Sequence, residues 1–194
     1  MDAVTFADPL IVERVSNAVG ALQRSGINFL ALDFDLTICG VHTGGVWQDT
    51  PLALASLCRP IFYHLIRSAM DRGLHIAIVT FSPQTFVIRD VLDLLFGRPT
   101  SALIPIRGGD RSWTYVGMGS QEGKQPHMAS AVEELLHINA ASPPVITRGT
   151  TIIIDDDANN IKIALQEGVR AIWLNPKNSD KVLTDIVHLL DEAR

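Results

Sequence analysis

The apolar run Leu30-Ala31-Leu32 ends in Asp33-Phe34-Asp35-Leu36-Thr37, placing two carboxylates two positions apart at the close of a buried-looking strand. A carboxylate is costly in an apolar interior unless it is paired, hydrogen-bonded or set to work. At the C-terminal end of such a strand, where the chain opens into a loop, both side chains can turn toward one crevice. A second acidic group, Asp155-Asp156-Asp157, closes another continuous apolar run, Thr151-Ile152-Ile153-Ile154. If both strands are central and parallel, their ends lie side by side at the switch point where open α/β sheets bind ligands. Four or five carboxylates gathered there repel one another without a cation, and hard oxygen donors with water suit Mg²⁺.

The elements that must position these groups follow from periodicity and cap signals. Short apolar or β-rich runs at 28–34, 75–80, 102–106, 151–155 and 170–174 alternate with amphipathic stretches of helical length at 8–25, 51–72, 83–97, 126–138, 157–168 and 178–192. Thr50-Pro51, Ser82-Pro83 and Gln125-Pro126 place proline near helix starts, and Gly26, Gly73 and Gly168 stand where helices end. Strands joined by helices imply a mostly parallel sheet, so the expected fold is a Rossmann-like three-layer α/β/α sandwich around five strands. We read residues 1–194 as one domain, with residues 1–27 supplying an N-terminal helix that covers a sheet face. Two irregular segments, 38–49 and 107–123, are long enough to act as flaps.

With these residues placed, the sequence resembles the haloacid dehalogenase-like (HAD) superfamily, in its phosphatase and phosphotransferase branch. Asp33-Phe34-Asp35-Leu36-Thr37 is similar to its DxDxT motif, and Thr80 after Ile76-Ala77-Ile78-Val79 to the hydroxyl residue of the second motif. Lys124 before a helix matches the third. Asp155-Asp156-Asp157-Ala158-Asn159-Asn160 matches the fourth in a DDxxxN form, where other members have GDxxxD. The resemblance implies Asp33 as nucleophile forming an aspartyl-phosphate. It implies Asp35 as general acid and then base, since a second aspartate there favours transfer of phosphate to water or an alcohol. Thr80 and Lys124 would hold the phosphoryl oxygens. Mg²⁺ would be held by the Asp33 carboxylate, the Asp35 carbonyl and the Asp156 carboxylate. Asp155, Asn160, Thr37 and His42 are supporting candidates: Asp155 or Asp157 either bonds Lys124 or Thr37 or caps the following helix, and Asn160 either orients a metal water or Lys124 or is an ordinary exposed residue.

The resemblance also bears on substrate. Neither flap has room for the inserted cap fold of many relatives, so the chain resembles capless (C0) members, whose open clefts accept phosphorylated proteins, nucleic-acid ends or small metabolites. Trp47, Trp113 and Tyr115 either form an aromatic platform or pack on the domain; His127 either faces the cleft or does not. Arg107 and Arg111 either steer an anion or solvate the loop. A phosphotransferase to a non-water acceptor and a non-catalytic protein-binding module remain alternative readings.

Composition sets the outer limits. A chain of 194 residues with 47% hydrophobic and 19% charged residues is neither disordered nor coiled-coil. A net charge of −5 argues against broad nucleic-acid or membrane binding through bulk charge. The first residues lack a secretory pattern, and the expectation is a cytoplasmic protein, a nuclear one being compatible. Cys39 and Cys58, without metal spacing, read as structural thiols in a reducing compartment.

Overall fold

The computed structural model describes residues 8–189. Five strands, β1 (Phe29–Leu32), β2 (His75–Val79), β3 (Ile106–Arg107), β4 (Thr151–Asp155) and β5 (Arg170–Trp173), form one sheet in the order β3-β2-β1-β4-β5. Every pairing is parallel. The chain runs outward from β1 to β3, then returns to the other side of β1 as β4, so the switch point lies between β1 and β4. Leu32 pairs with Ile78 on one side and Ile154 on the other, which brings Asp33, Thr80 and Asp155 to one edge of the sheet.

Side-chain alternation divides the core. Leu30, Leu32, Ile76, Ile78, Ile152 and Ile154 face one apolar layer shared with α1 (Pro9–Arg24), α3 (Pro60–Asp71), α4 (Thr85–Phe96) and α8 (Lys181–His188). Phe29, Ala31, Ala77, Val79 and Ile153 face the other, with α6 (Gln125–Ile138) and α7 (Ala158–Gln166). The result is the expected three-layer α/β/α sandwich, and the amphipathic α8 packs on α1 and β5 within its own chain. Among the described residues no helix is long and apolar enough to cross a membrane.

Element boundaries depart from expectation where proline acts. The helix expected over 51–72 is two, a short α2 (Pro51–Ala55) capped by Thr50 and then α3, because Pro60 has no N–H to continue α2. The strand expected over 102–106 is instead the close of a short α5 (Arg98–Ser101) followed by β3. Pro105 offers only its carbonyl to the ladder, accepting from the Ile78 N–H at 2.9 Å. Gln84, and not Ser82, stands at the N-cap position of α4, without a side-chain cap bond. Of the outer expectations, residues 1–7 and 190–192 lie outside the described residues.

Candidate active site

The loop after β1 is a wide turn over Phe34–Ile38 in which Asp35 is extended and Leu36 is left-handed, with φ 59°. A branched-γ side chain resists that conformation by about 1–2 kcal/mol, so surrounding bonds must hold it. They are present: Cys39 N–H donates to the Phe34 carbonyl at 2.8 Å and Leu36 N–H to the Val41 carbonyl at 3.1 Å. The Arg59 guanidinium donates to the Leu36 and Thr37 carbonyls at 3.2 and 3.1 Å. The strained turn presents Asp33 and Asp35 to a cleft of about 400 Å³ that Thr80, Lys124, Asp156 and His42 also line.

Asp33, Lys124 and Asp155 are all buried, and the Lys124 ammonium donates both to Asp33 and to Asp155, the latter at 2.8 Å. Burial alone would lower the Lys124 pKa, but the attractions of Asp33 and Asp155 outweigh it and hold the ammonium charged. One ammonium does not neutralise three carboxylates. Burial, reinforced by Asp155 and Asp156 and opposed by Lys124, pushes the Asp33 carboxyl up to about 7. Asp156 is also raised, by burial and then by Asp155.

The three acids of 155–157 separate into distinct roles. Asp155 accepts from Lys124, from the Asn160 amide at 3.1 Å and from the Asp157 N–H at 2.8 Å, so both its oxygens are engaged. Asp157 caps α7 through the Asn159 N–H at 2.7 Å. Among the described residues Asp156 has one side-chain contact, from the Thr37 hydroxyl at 3.5 Å, and is the least committed. Asn160 is buried and orients Asp155; Lys124 is not its partner. Thr80 is buried and its hydroxyl accepts the Ser82 N–H at 3.2 Å.

Asp35 is held on one side only. Its Oδ2 accepts the Thr43 N–H at 3.1 Å and the Thr43 hydroxyl at 2.8 Å, while its Oδ1 is buried without a partner among the described residues. Gln84 then donates to the Thr43 hydroxyl at 3.0 Å and accepts the Trp47 N–H, tying the first flap to the start of α4. His42 is exposed beside this group, 3.6 Å from Asp35, and its Nδ1 accepts the Gly44 N–H at 2.9 Å. Thr43, Gln84 and Arg59 were not expected among the site residues from sequence. The available signal was a short hydroxyl residue between His42 and two glycines; nothing in the sequence pairs it with Gln84.

Trp47 and Trp113 pack on the body of the domain, and Tyr115 bonds within its own flap. Trp47 packs against the core and donates from its indole to the Thr50 carbonyl at 3.0 Å. The Tyr115 hydroxyl accepts the Gly119 N–H at 3.2 Å within its own flap. Trp113 and Phe81 sit edge-on to the buried His127 ring at 4.6 and 5.3 Å between centroids, and His127 does not line the cleft. Arg107 is anchored to α6, with Ser130 at 2.8 Å and Glu134 at 2.7 Å, so it is committed inside the fold.

His127 carries a pH consequence. Its Nδ1 is buried without a partner among the described residues, and burial, with Lys124 and Arg107 adding, lowers its pKa from 6.5 to about 4. Between those values the unfolded chain takes a proton that the folded chain refuses, so this contribution is present above pH 6.5 and is lost as pH falls toward 4. After discounting for solvent screening the loss is on the order of 2 kcal/mol. His127→Phe keeps the aromatic packing and removes the titration. Urea unfolding of both proteins from pH 7 to 4 should therefore show the wild type losing more stability than the variant, and parallel curves would contradict the assignment.

Comparison with known proteins adds little to the geometry. No family model matches the chain, and no curated protein matches it. Among solved structures it is similar to an uncharacterized protein from Corynebacterium glutamicum, at 18% identity over 85% of this chain and 96% of that one, with a TM-score of 0.46.

Proposed function

We propose that this protein is a Mg²⁺-dependent phosphatase of the haloacid dehalogenase-like type, hydrolysing a phosphate monoester through an aspartyl-phosphate on Asp33. The observation that supports it best is the gathering of Asp33, Lys124, Asp155 and Asp156 at the C-terminal edge of adjacent parallel strands, over an open cleft. In this reading an Asp33 oxygen attacks phosphorus while the bond to the leaving oxygen breaks, and Asp35 gives that oxygen its proton. A water then attacks phosphorus, Asp35 takes the water's proton, and Asp33 leaves with inorganic phosphate as the other product. Asp35 borders the cleft, and Thr43 fixes its carboxylate through two bonds to Oδ2. Thr80 and Lys124 hold the phosphoryl oxygens as charge moves onto them.

The donor set fits a hard cation: Asp33, Asp155 and Asp156 offer oxygens within 4.8 Å of one another. Because both Asp155 oxygens already accept from the protein, Asp33 and Asp156 would hold Mg²⁺, with the Asp35 carbonyl as the third protein ligand implied by the resemblance. When bound, Mg²⁺ would offset the surplus negative charge that otherwise opposes approach of a phosphate dianion. The substrate is a phosphorylated small molecule or macromolecule that reaches Asp33 from open solvent.

The test is release of p-nitrophenol from its phosphate ester, then a panel of phosphopeptides, nucleotides, sugar phosphates and end-phosphorylated oligonucleotides. Turnover in Mg²⁺ should fall at least about 100-fold in EDTA and return when Mg²⁺ is restored. Equal turnover in EDTA, or none across the whole panel, would overturn the reading.

A further inference from the structure

Cys39 and Cys58 face each other across an isolated antiparallel bridge between the end of the turn after β1 and the link joining α2 to α3. Its flanking bonds are Gly40 N–H to the Leu57 carbonyl at 2.8 Å and Arg59 N–H to the Ile38 carbonyl at 2.9 Å. This pattern makes Cys39 and Cys58 a non-hydrogen-bonded pair, for which facing Cα atoms lie about 4.5 Å apart. That spacing falls inside the roughly 4.4–6.8 Å range that a disulfide spans. Both thiols are free and buried, and the Cys58 thiol donates to the Leu54 carbonyl at 3.8 Å.

We propose that Cys39 and Cys58 are a redox-modification site, a dithiol that hydrogen peroxide converts to a disulfide clamping the Asp33–Asp35 turn to the α2–α3 link. The Cys39 sulfur attacks the peroxide O–O bond and becomes a sulfenic acid with loss of one water. The Cys58 sulfur then attacks the Cys39 sulfur, the S–O bond breaks, and a second water leaves. The two thiols together lose two electrons, which the peroxide accepts, and the thiol protons leave in the two waters.

The order of attack follows from the environment. The neighbouring Cys58 thiol lowers the Cys39 pKa against the effect of burial, with the Val41 N–H also helping. The Cys39 thiol beside it, and then burial, raises Cys58. Cys39 is therefore the attacking sulfur and Cys58 the resolving one.

The consequence for the turn is mechanical. Cys39 N–H closes that turn on Phe34, and Arg59, beside Cys58, holds the Leu36 and Thr37 carbonyls. A bond between the two sulfurs fixes both ends of this clasp, whatever reaction the carboxylates perform.

The chain holds two cysteines, so intact mass reports the bond directly. The reduced full chain is treated with a small molar excess of hydrogen peroxide, unfolded, and alkylated with iodoacetamide. A monomer carrying no alkyl groups and lighter by two hydrogens is expected, and dithiothreitol should restore two alkylations. Oxidation should raise Tm by on the order of 5 °C or more and slow amide exchange at Leu36, Cys39 and Gly40. In Cys58→Ser, Cys39 should stop at the sulfenic acid or a higher oxide, with no rise in Tm. Two alkylated thiols after peroxide, an intermolecular disulfide, or a disulfide that changes neither Tm nor exchange would overturn the proposal. Mass, Tm and exchange are read without any phosphatase assay, so failure of the proposed activity leaves this test standing.

Discussion

Asp33→Asn should lower turnover of phosphate esters at least about 1,000-fold while leaving the fold in place, because it removes the attacking oxygen's charge and changes little else. Loss of activity alone would be ambiguous, but the environment of Asp33 separates chemistry from folding. Its carboxyl is pushed up to about 7, against an ordinary value of 3.8, chiefly by burial. For an acid whose folded pKa is raised, the unfolded chain releases its proton at lower pH than the folded one. Stability is therefore lost as pH climbs from about 4 to 7, and above 7 the folded protein carries a buried charge at a cost. Asn removes that charge and keeps an oxygen to accept from Lys124. In metal-free buffer at pH 8 the Asp33→Asn protein should melt at the same temperature as the wild type or higher, with the difference shrinking toward pH 4. Mg²⁺ should raise the Tm of the wild type more than that of the variant. A variant that keeps turnover would remove Asp33 from the mechanism, and one that melts well below wild type at pH 8 would contradict the electrostatics of the cluster.

Much of this site was legible because it depends on where strands end. Apolar runs closing in Asp33 and in Asp155 are read from hydrophobicity alone, and parallel pairing of adjacent strands then brings their ends together. The same logic recovers β2 and Thr80. Legibility failed where a decision belonged to a contact between distant segments. The run 102–106 is as apolar as a strand, yet Arg98-Pro99 starts a short helix and Pro105 cannot donate, so the ladder begins at Ile106. Asn160 is spaced like an exposed helix residue, but α7 turns it inward onto Asp155. Trp113 and His127 are 14 positions apart and meet because the second flap folds back over α6. The Thr43 and Gln84 contact, 41 residues apart, has no local signature at all. Cys39 and Cys58 look unrelated by spacing, and their juxtaposition is a product of the break at Pro60 that directs the α2–α3 link back along the turn.

Lys124→Met should be among the most damaging single changes to stability, because the side chain keeps its length while two buried carboxylates lose their shared counter-charge. Removing one partner from a buried ion pair costs about 3–5 kcal/mol, most of it the penalty of the charge left behind. Here Asp33 and Asp155 are both left, within a cluster that already includes Asp156. The loss should be largest near pH 8 and should shrink as acid protonates the carboxylates, a trend that urea unfolding at several pH values would measure. Mg²⁺ should restore more Tm to Lys124→Met than it adds to the wild type, since a cation then supplies the whole neutralising charge. Turnover should nonetheless stay low in saturating Mg²⁺, because the ammonium that holds the phosphoryl oxygens is missing. A double-mutant cycle with Asp33→Asn sharpens the point: once Asp33 is neutral, removing Lys124 strands one carboxylate fewer, so Lys124→Met should cost less stability in the Asp33→Asn background than in the wild type. A Lys124→Met protein as stable as wild type in metal-free buffer at pH 8 would mean that the three carboxylates do not share one buried charge, and both the metal reading and the raised Asp33 would fall with it.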